Sequence, residues 1–271
     1  YVWAKVGGEK KVGKNNESLA EVLLKCAKSH HIDNCHFLNN EKDDKDLNDL
    51  ENLPHLFVLA CIMDRQMSSE KAWQIPLIVG DYLGGRTFDK FAKATEEEIK
   101  NIFTSKKIHR FYKKQFPIFY QAIQTIKNKY ESDASKIWAK DSSCAEVMNR
   151  FLDFEGVGIK IAAMAVNILI RKYKIELKDK VFTSIAPDTH VRRIFKRLGC
   201  FEKIDNINSN KFGLQIINYT RVLNPEYPGE IDSYLWNLGR DVCLSDKPKC
   251  YQCELESVCQ HDKKEYDAAK G

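Results

Sequence analysis

Phe151-Leu152-Asp153-Phe154-Glu155-Gly156-Val157-Gly158-Ile159-Lys160 sets two glycines two positions apart, between an amphipathic segment and an apolar one. Glycine at such positions permits a positive φ and lets another part of the chain come close. The N–H groups of the turn, with the N-terminus of the helix that follows, would form a concave anion site suited to a phosphate. Taken alone, the turn also fits an ordinary connection between two helices. The following segment, Ile159 to Ile170, is apolar almost all round and is therefore predicted to be a buried helix, with Lys160 as its only charge. In the first helical turn, the ammonium meets the positive end of the helix dipole and apolar neighbours. Both effects favour the neutral amine that a nucleophile needs. The plain alternative is a lysine that snorkels to solvent or grips a phosphate.

Downstream, Ile185-Ala186-Pro187-Asp188-Thr189-His190-Val191-Arg192-Arg193-Ile194 reads as a turn into a helix, with Asp188 as N-cap or first-turn residue. Backbone donors there would hold the carboxylate, which suits it to act as a base or as the counter-charge to a developing cation. Capping by itself also explains an aspartate in this place. Arg192 and Arg193 are either solvated or reach a phosphate, and His190 reads as a packing residue.

Nine cysteines are an odd number for a disulfide framework. Cys26, Cys35, Cys61, Cys144 and Cys200 are scattered, mostly within apolar stretches, where a thiol packs as a small hydrophobe. Cys243, Cys250, Cys253 and Cys259 follow C-x6-C-x2-C-x5-C within seventeen residues. Four thiolates so close can fold a short loop around one metal centre, either an iron–sulfur cluster or tetrahedral zinc. Lys247 and Lys249, between the first two ligands, could face a phosphate backbone.

Almost nothing alternates with period two, so the predicted class is all-α. Leu19, Val22, Leu23 and Cys26 trace one buried helix face, and the polar stretch Asn39 to Glu51 reads as a solvated loop or linker. Pro54 opens an apolar helix that, with the residues following it, runs through Trp73. Further helices are predicted over 87–103, 108–130, 144–154, 159–173, 188–198, 208–220 and 230–240. The net charge of +5 is unevenly placed. Between Ile99 and Tyr130, Lys100, Lys106, Lys107, Arg110, Lys113, Lys114, Lys127 and Lys129 occur with no acid and with aromatics interleaved. Such a stretch is either a phosphate-tracking surface or a solvated basic helix face. No long apolar run or signal-peptide pattern is present, so a soluble, intracellular protein is expected, without a membrane partner.

The turn G-V-G-x-K, the segment D-T-H-V-x-R and Trp236-Asn237-Leu238-Gly239-Arg240 leading into the four cysteines occur in that order. Together they resemble endonuclease III and its relatives among the helix-hairpin-helix DNA glycosylases, over roughly residues 55–262. The resemblance implies two helical domains with the active-site cleft and DNA groove between them. A six-helix barrel over 55–182 would carry the hairpin at 151–170. Residues 183–271 would carry the aspartate helix and the cluster, and residues 1–54 would form an extension packed on the cluster domain.

By that resemblance, the four cysteines hold a structural 4Fe-4S cluster, with zinc as the alternative, and a monovalent cation sits at the hairpin. Lys160 matches the Schiff-base lysine and Asp188 the essential aspartate. Gln66 aligns with the glutamine that enters the space left by the extruded base, and the wedge into the opposite strand comes from around Ile108-His109-Arg110. Gly156, Gly158, Arg193, Lys247 and Lys249 would bind the DNA backbone. The implied activity is a monomeric glycosylase and AP lyase acting on double-stranded DNA with a damaged base, an oxidised pyrimidine being the favoured lesion. Its compartment would be the cytoplasm or nucleoid of a prokaryote, or a nucleus. A mismatch-specific thymine or uracil glycosylase and a non-catalytic DNA-binding protein are the alternatives. The chain departs from the family pattern at Glu155, where the hairpin usually has proline, in a longer N-terminal region, and in an extra charged stretch, Arg171 to Lys180, expected to protrude as a loop.

Overall fold

The computed structural model describes residues 18–29, 37–38 and 40–261. Twelve α-helices account for the described regular structure, with short 3-10 turns and a single isolated bridge between Ser143 and Lys178. They are α1 (Leu19–Ser29), α2 (Glu41–Asn48), α3 (Pro54–Met63), α4 (Ser69–Tyr82), α5 (Phe88–Lys93), α6 (Glu96–Lys106), α7 (Tyr112–Lys129), α8 (Cys144–Leu152), α9 (Ile159–Arg171), α10 (Thr189–Leu198), α11 (Asn210–Leu223) and α12 (Asp232–Asp241). The all-α expectation is met. Among the described residues, no helix is long and apolar enough to cross a membrane. The chain divides into two compact units, one of residues 33–178 and the other of residues 1–32 with 179–271.

In the unit of residues 33–178, all ten residues of α3 are buried, as a helix apolar on every side must be. It packs against α2, α4, α7 and α9. Phe57, at its centre, meets the rings of Trp73, Trp138, Phe151 and Tyr173, each aromatic adding large apolar area to the core. The helix does not run on to Trp73: it stops at Met63, and α4 starts only at Ser69. The expected helix over 87–103 is likewise divided. Thr95 and Glu98 form a capping box that starts α6 afresh, each side chain satisfying a backbone N–H at the new terminus.

Two stretches differ from their sequence expectation. Residues 41–48, expected as solvated loop, form α2. Asn40 caps it by accepting from the Asp43 N–H at 3.0 Å, Leu47 is fully buried, and the Asp44 carboxylate accepts from the N–H groups of Phe37 and Leu38. Its acidic side chains are not merely solvated: Asp43 and Asp46 each stand 2.7 Å from the Arg86 guanidinium, which also reaches Asp81. The stretch after Arg171 does not protrude. Tyr173 donates its hydroxyl to the Leu47 carbonyl at 3.2 Å, Leu177 is buried, and Lys178 exchanges backbone bonds with Ser142 and Cys144. These anchors fold the charged segment onto the helical body.

In the other unit, α1 presents Val22, Leu23 and Ala27 to a core shared with Val191, Ile194 and Phe195 of α10, Phe212 and Ile216 of α11, and Leu235 and Leu238 of α12. Thus α1, within the 1–54 stretch, packs in this unit, whereas α2 belongs to the other.

His55 is buried in α3, with Nε2 donating to the Arg86 carbonyl at 2.9 Å and its ring edge-on to Phe88 and Phe91. Burial pushes the imidazole down to about 4 from its ordinary 6.5. Below pH 6.5 the unfolded chain therefore binds a proton that the folded chain refuses, and stability falls as the pH drops toward 4. Denaturant titrations should show a loss of about 2 kcal/mol between pH 7 and pH 5 from this group, a loss that His55→Gln removes.

Candidate functional site

The turn between α8 and α9 puts Gly156 in the left-handed region at φ +74, as its glycine predicts. A Cβ at this position would lie 2.4 Å from Nη1 of Arg65, so the glycine also makes room for a guanidinium. Gly158 differs. Its backbone is extended at φ −114, a Cβ would meet nothing within 4 Å, and it stands exposed as the N-cap of α9 without a side-chain cap bond. The first N–H groups of α9 therefore have no intrahelical partner and carry the positive end of the dipole. Lys160 is the second residue of α9, half-buried, and followed on the same helix by buried Ile161, Ala162 and Ala163.

Gln66 occupies the break between α3 and α4. It is exposed and has φ +57, a left-handed backbone without the glycine that would make it easy. Such a conformation persists where its surroundings over-determine it. Arg65 donates through both Nε and Nη2 to the Ile62 carbonyl, at 3.1 and 3.0 Å, and Trp73 Nε1 lies 3.4 Å from the Asp64 carboxylate. Below the turn sits His109. Its Nδ1 accepts from the Phe111 N–H at 2.9 Å, and its other edge faces the Arg65 and Met63 carbonyls without full hydrogen-bond geometry. Burial lowers its pKa.

His109, expected from the sequence near the wedge, is only 1% exposed, its ring sealed beneath the Gln66 turn. On the same connection, Ile108 is half-buried and Arg110 exposed. The large apolar side chain that does emerge is Phe111, 37% exposed with the Arg110 guanidinium 5.3 Å from its ring centre. An aromatic following an arginine in a break between two helices was the available signal for Phe111. Of the neighbouring cations, Lys100 and Lys129 pair with Glu97 and Asp153, and Lys127 donates to the Ala92 carbonyl. Lys106, Lys107, Arg110, Lys113 and Lys114 are exposed and form no ion pair among the described residues.

Asp188, in the unit of residues 1–32 and 179–271, is the N-cap of α10, and its carboxylate accepts from the Val191 N–H at 2.8 Å. The segment before it is tied down where the buried Asp232 carboxylate accepts from the Ala186 N–H at 2.7 Å. Arg192 spends its guanidinium on the carbonyls of Pro187, Ile207 and Ser209. Arg193 donates to the carbonyls of Cys243 and Gly239, at 2.8 and 2.7 Å, so its donors anchor the loop that begins the cysteine segment. Arg197, one turn on, donates to Cys243 Sγ at 3.2 Å and to the carbonyls of Leu244 and Ser245.

Cys243, Cys250, Cys253 and Cys259 all line one cavity, together with Arg197, Val242 and Pro248. Burial pushes the Cys253 thiol up to about 12, and the other three sulfurs push it the same way. Among the described residues, no three His, Cys, Asp or Glu side chains converge closely enough to hold a single metal ion. Lys247 and Lys249 are exposed on the loop between the first two cysteines.

No family model matches the chain. Its sequence is 32% identical over 113 residues to endonuclease III of Buchnera aphidicola subsp. Schizaphis graminum, covering 40% of this chain and 44% of that protein. To endonuclease III of Buchnera aphidicola subsp. Baizongia pistaciae it is 30% identical over 107 residues, 39% of this chain and 41% of that protein. The chain thus spans less than half the length of these relatives. In structure it is similar to a trapped endonuclease III–DNA covalent intermediate, with a TM-score of 0.60 at 20% identity, over 90% of this chain and 95% of that one. It is similar to a thermostable thymine-DNA glycosylase with a TM-score of 0.59 at 15% identity and the same coverage. In sequence the chain is thus similar to endonuclease III over 40% of its length, and in fold it is similar to an endonuclease III structure over 90% of it.

Proposed function

We propose that this protein is a base-excision DNA glycosylase with AP lyase activity. The observation that carries the reading is the placement of Lys160 in the first turn of α9, directly after the left-handed glycine turn and its exposed N-terminal N–H groups. That turn suits a DNA phosphate. Lys106, Lys107, Arg110, Lys113, Lys114, Lys247 and Lys249 would add phosphate contacts. Extruding a base leaves a gap that Gln66 fills, while Phe111 wedges into the opposite strand and lowers the cost of the kink. Phe111 thus takes the role expected near Ile108-His109-Arg110.

In the reaction, the neutral Nζ of Lys160 gives its lone pair to the anomeric carbon of the flipped nucleotide as the carbon–base bond breaks and its electron pair leaves with the base. Asp188 accepts the proton lost from Nζ and balances the positive charge growing on the sugar. Opening of the sugar ring leaves an imine between Nζ and the former anomeric carbon. Loss of the adjacent proton then expels the 3′ phosphate by β-elimination, and water releases the enzyme. Endonuclease III itself forms a covalent intermediate with DNA.

The four cysteines fit a 4Fe-4S cluster. All four line one cavity, and the Arg197 guanidinium stands 3.2 Å from Cys243 Sγ, a donor set that suits an iron–sulfur cluster, with tetrahedral zinc as the alternative. The cluster would supply no redox step, only a rigid support for the loop carrying Lys247 and Lys249. Anaerobically purified protein should be brown, with broad visible absorbance and about four iron atoms per chain; colourless protein containing zinc would contradict the assignment.

The test of function is a panel of duplexes bearing oxidised pyrimidines, abasic sites, or T·G and U·G mismatches, scored separately for base release and strand cleavage. Both should occur on an oxidised pyrimidine, and Lys160→Ala should abolish strand cleavage at every lesion. Release from the mismatches alone would move the substrate to mispaired thymine or uracil, and duplex binding without release at any lesion would leave a DNA-binding protein. Asp188→Asn should keep the cap, and with it the melting temperature, while losing activity. Asp188→Ala should lose activity and about 1 kcal/mol of stability as well.

A further inference from the structure

We propose that Arg65 is a positioning residue that locks the Gln66 turn to the hairpin turn at Gly156, so that docking of the hairpin on DNA and entry of Gln66 into the duplex are a single event; this rests on the repair function proposed above. Arg65 is the residue immediately before Gln66. Its guanidinium chelates the last turn of α3 through Nε and Nη2, both aimed at the Ile62 carbonyl at 3.1 and 3.0 Å. The third nitrogen, Nη1, lies against Gly156, in a space that a Cβ would fill at 2.4 Å. Glu155, beside that glycine, favours the guanidinium's charge and opposes the burial that disfavours it.

One planar group therefore touches the helix before the Gln66 turn and the turn before Lys160. The Arg65 N–H also donates to the Met63 carbonyl at 2.7 Å, closing a turn over Asp64 immediately before Gln66, which has φ +57. Freed from this contact, Gln66 has no reason to keep a left-handed backbone, which is strained for a residue with a side chain. A lysine cannot replace the guanidinium, because its single ammonium lacks the fork that makes two bonds to one carbonyl while lying flat against a glycine.

The experiment uses the full chain and a duplex in which a tetrahydrofuran abasic analogue faces 2-aminopurine, whose fluorescence rises when it is unstacked. No bond is broken, so extrusion is read apart from chemistry, and anisotropy of the same duplex gives affinity. Wild type and Arg65→Ala should bind within about threefold of one another, with the fluorescence rise reduced by more than half in the variant. Arg65→Lys should fail to restore it. Gly156→Ala perturbs the contact from the opposite side; it lies in the DNA-binding turn and should lose affinity, but at saturating protein its fluorescence rise should also fall by more than half, and the double variant's rise should be no lower than that of the more affected single variant, as coupled sites require. Should either single variant melt before binding can be measured, the other decides. A full fluorescence rise in the saturated variants, rescue by lysine, additive losses of the rise, or a loss of affinity in Arg65→Ala in step with its signal would each overturn the coupling. Wild-type protein that binds but leaves 2-aminopurine quenched would overturn the repair reading itself, and the coupling with it.

Discussion

A guanidinium occupies the space where residue 156 would carry a Cβ, and the backbone there is left-handed. Two demands, positive φ and close approach, fall on one position, and only glycine meets both. The consequences run outward in both directions. Forward, the chain enters α9 with its first N–H groups exposed and Lys160 half-buried in the first turn. Across the turn, the Arg65 plane reaches the end of α3, whose ten residues are all buried, so the Gln66 turn is tied to a helix enclosed in the core of its unit.

The second unit uses arginine in a comparable way. Helix α10 begins after the Asp188 cap and runs to Leu198, and it sends Arg193 and Arg197 to the backbone and sulfur of the Cys243 loop. Charged donors shared among carbonyls at 2.6–2.8 Å are stronger than neutral hydrogen bonds. A carboxylate and the four-cysteine loop are thereby mounted on one helix of ten residues, about 15 Å long. Ordering of the four cysteines and the setting of Asp188 are linked through that helix.

Much of this could be read from local chemistry. The glycine turn, the Asp188 cap, the buried face of α1 and the limits of most helices follow from residues close together in the chain. What escaped was set by distant partners. The acidic run 41–48 looks solvated until Arg86, some forty residues on, gathers Asp43 and Asp46. The charged stretch after Arg171 looks like a protrusion until Tyr173 finds the Leu47 carbonyl. His109 and Phe111 are two residues apart in a helix break, and only the packing beneath the Gln66 turn decides that the first is sealed and the second emerges. Arg65 gave no periodic or spacing signal at all, since its partner is a glycine ninety residues away.

The account stands on the amine of Lys160 joining covalently to a sugar. Borohydride reduction of the protein incubated with an abasic or lesion-bearing duplex, followed by proteolysis and mass spectrometry, addresses this directly. The expected product is a stable protein–DNA adduct whose modified peptide contains Lys160. An adduct carried by another lysine, or none on a duplex whose base is nevertheless released, would contradict it.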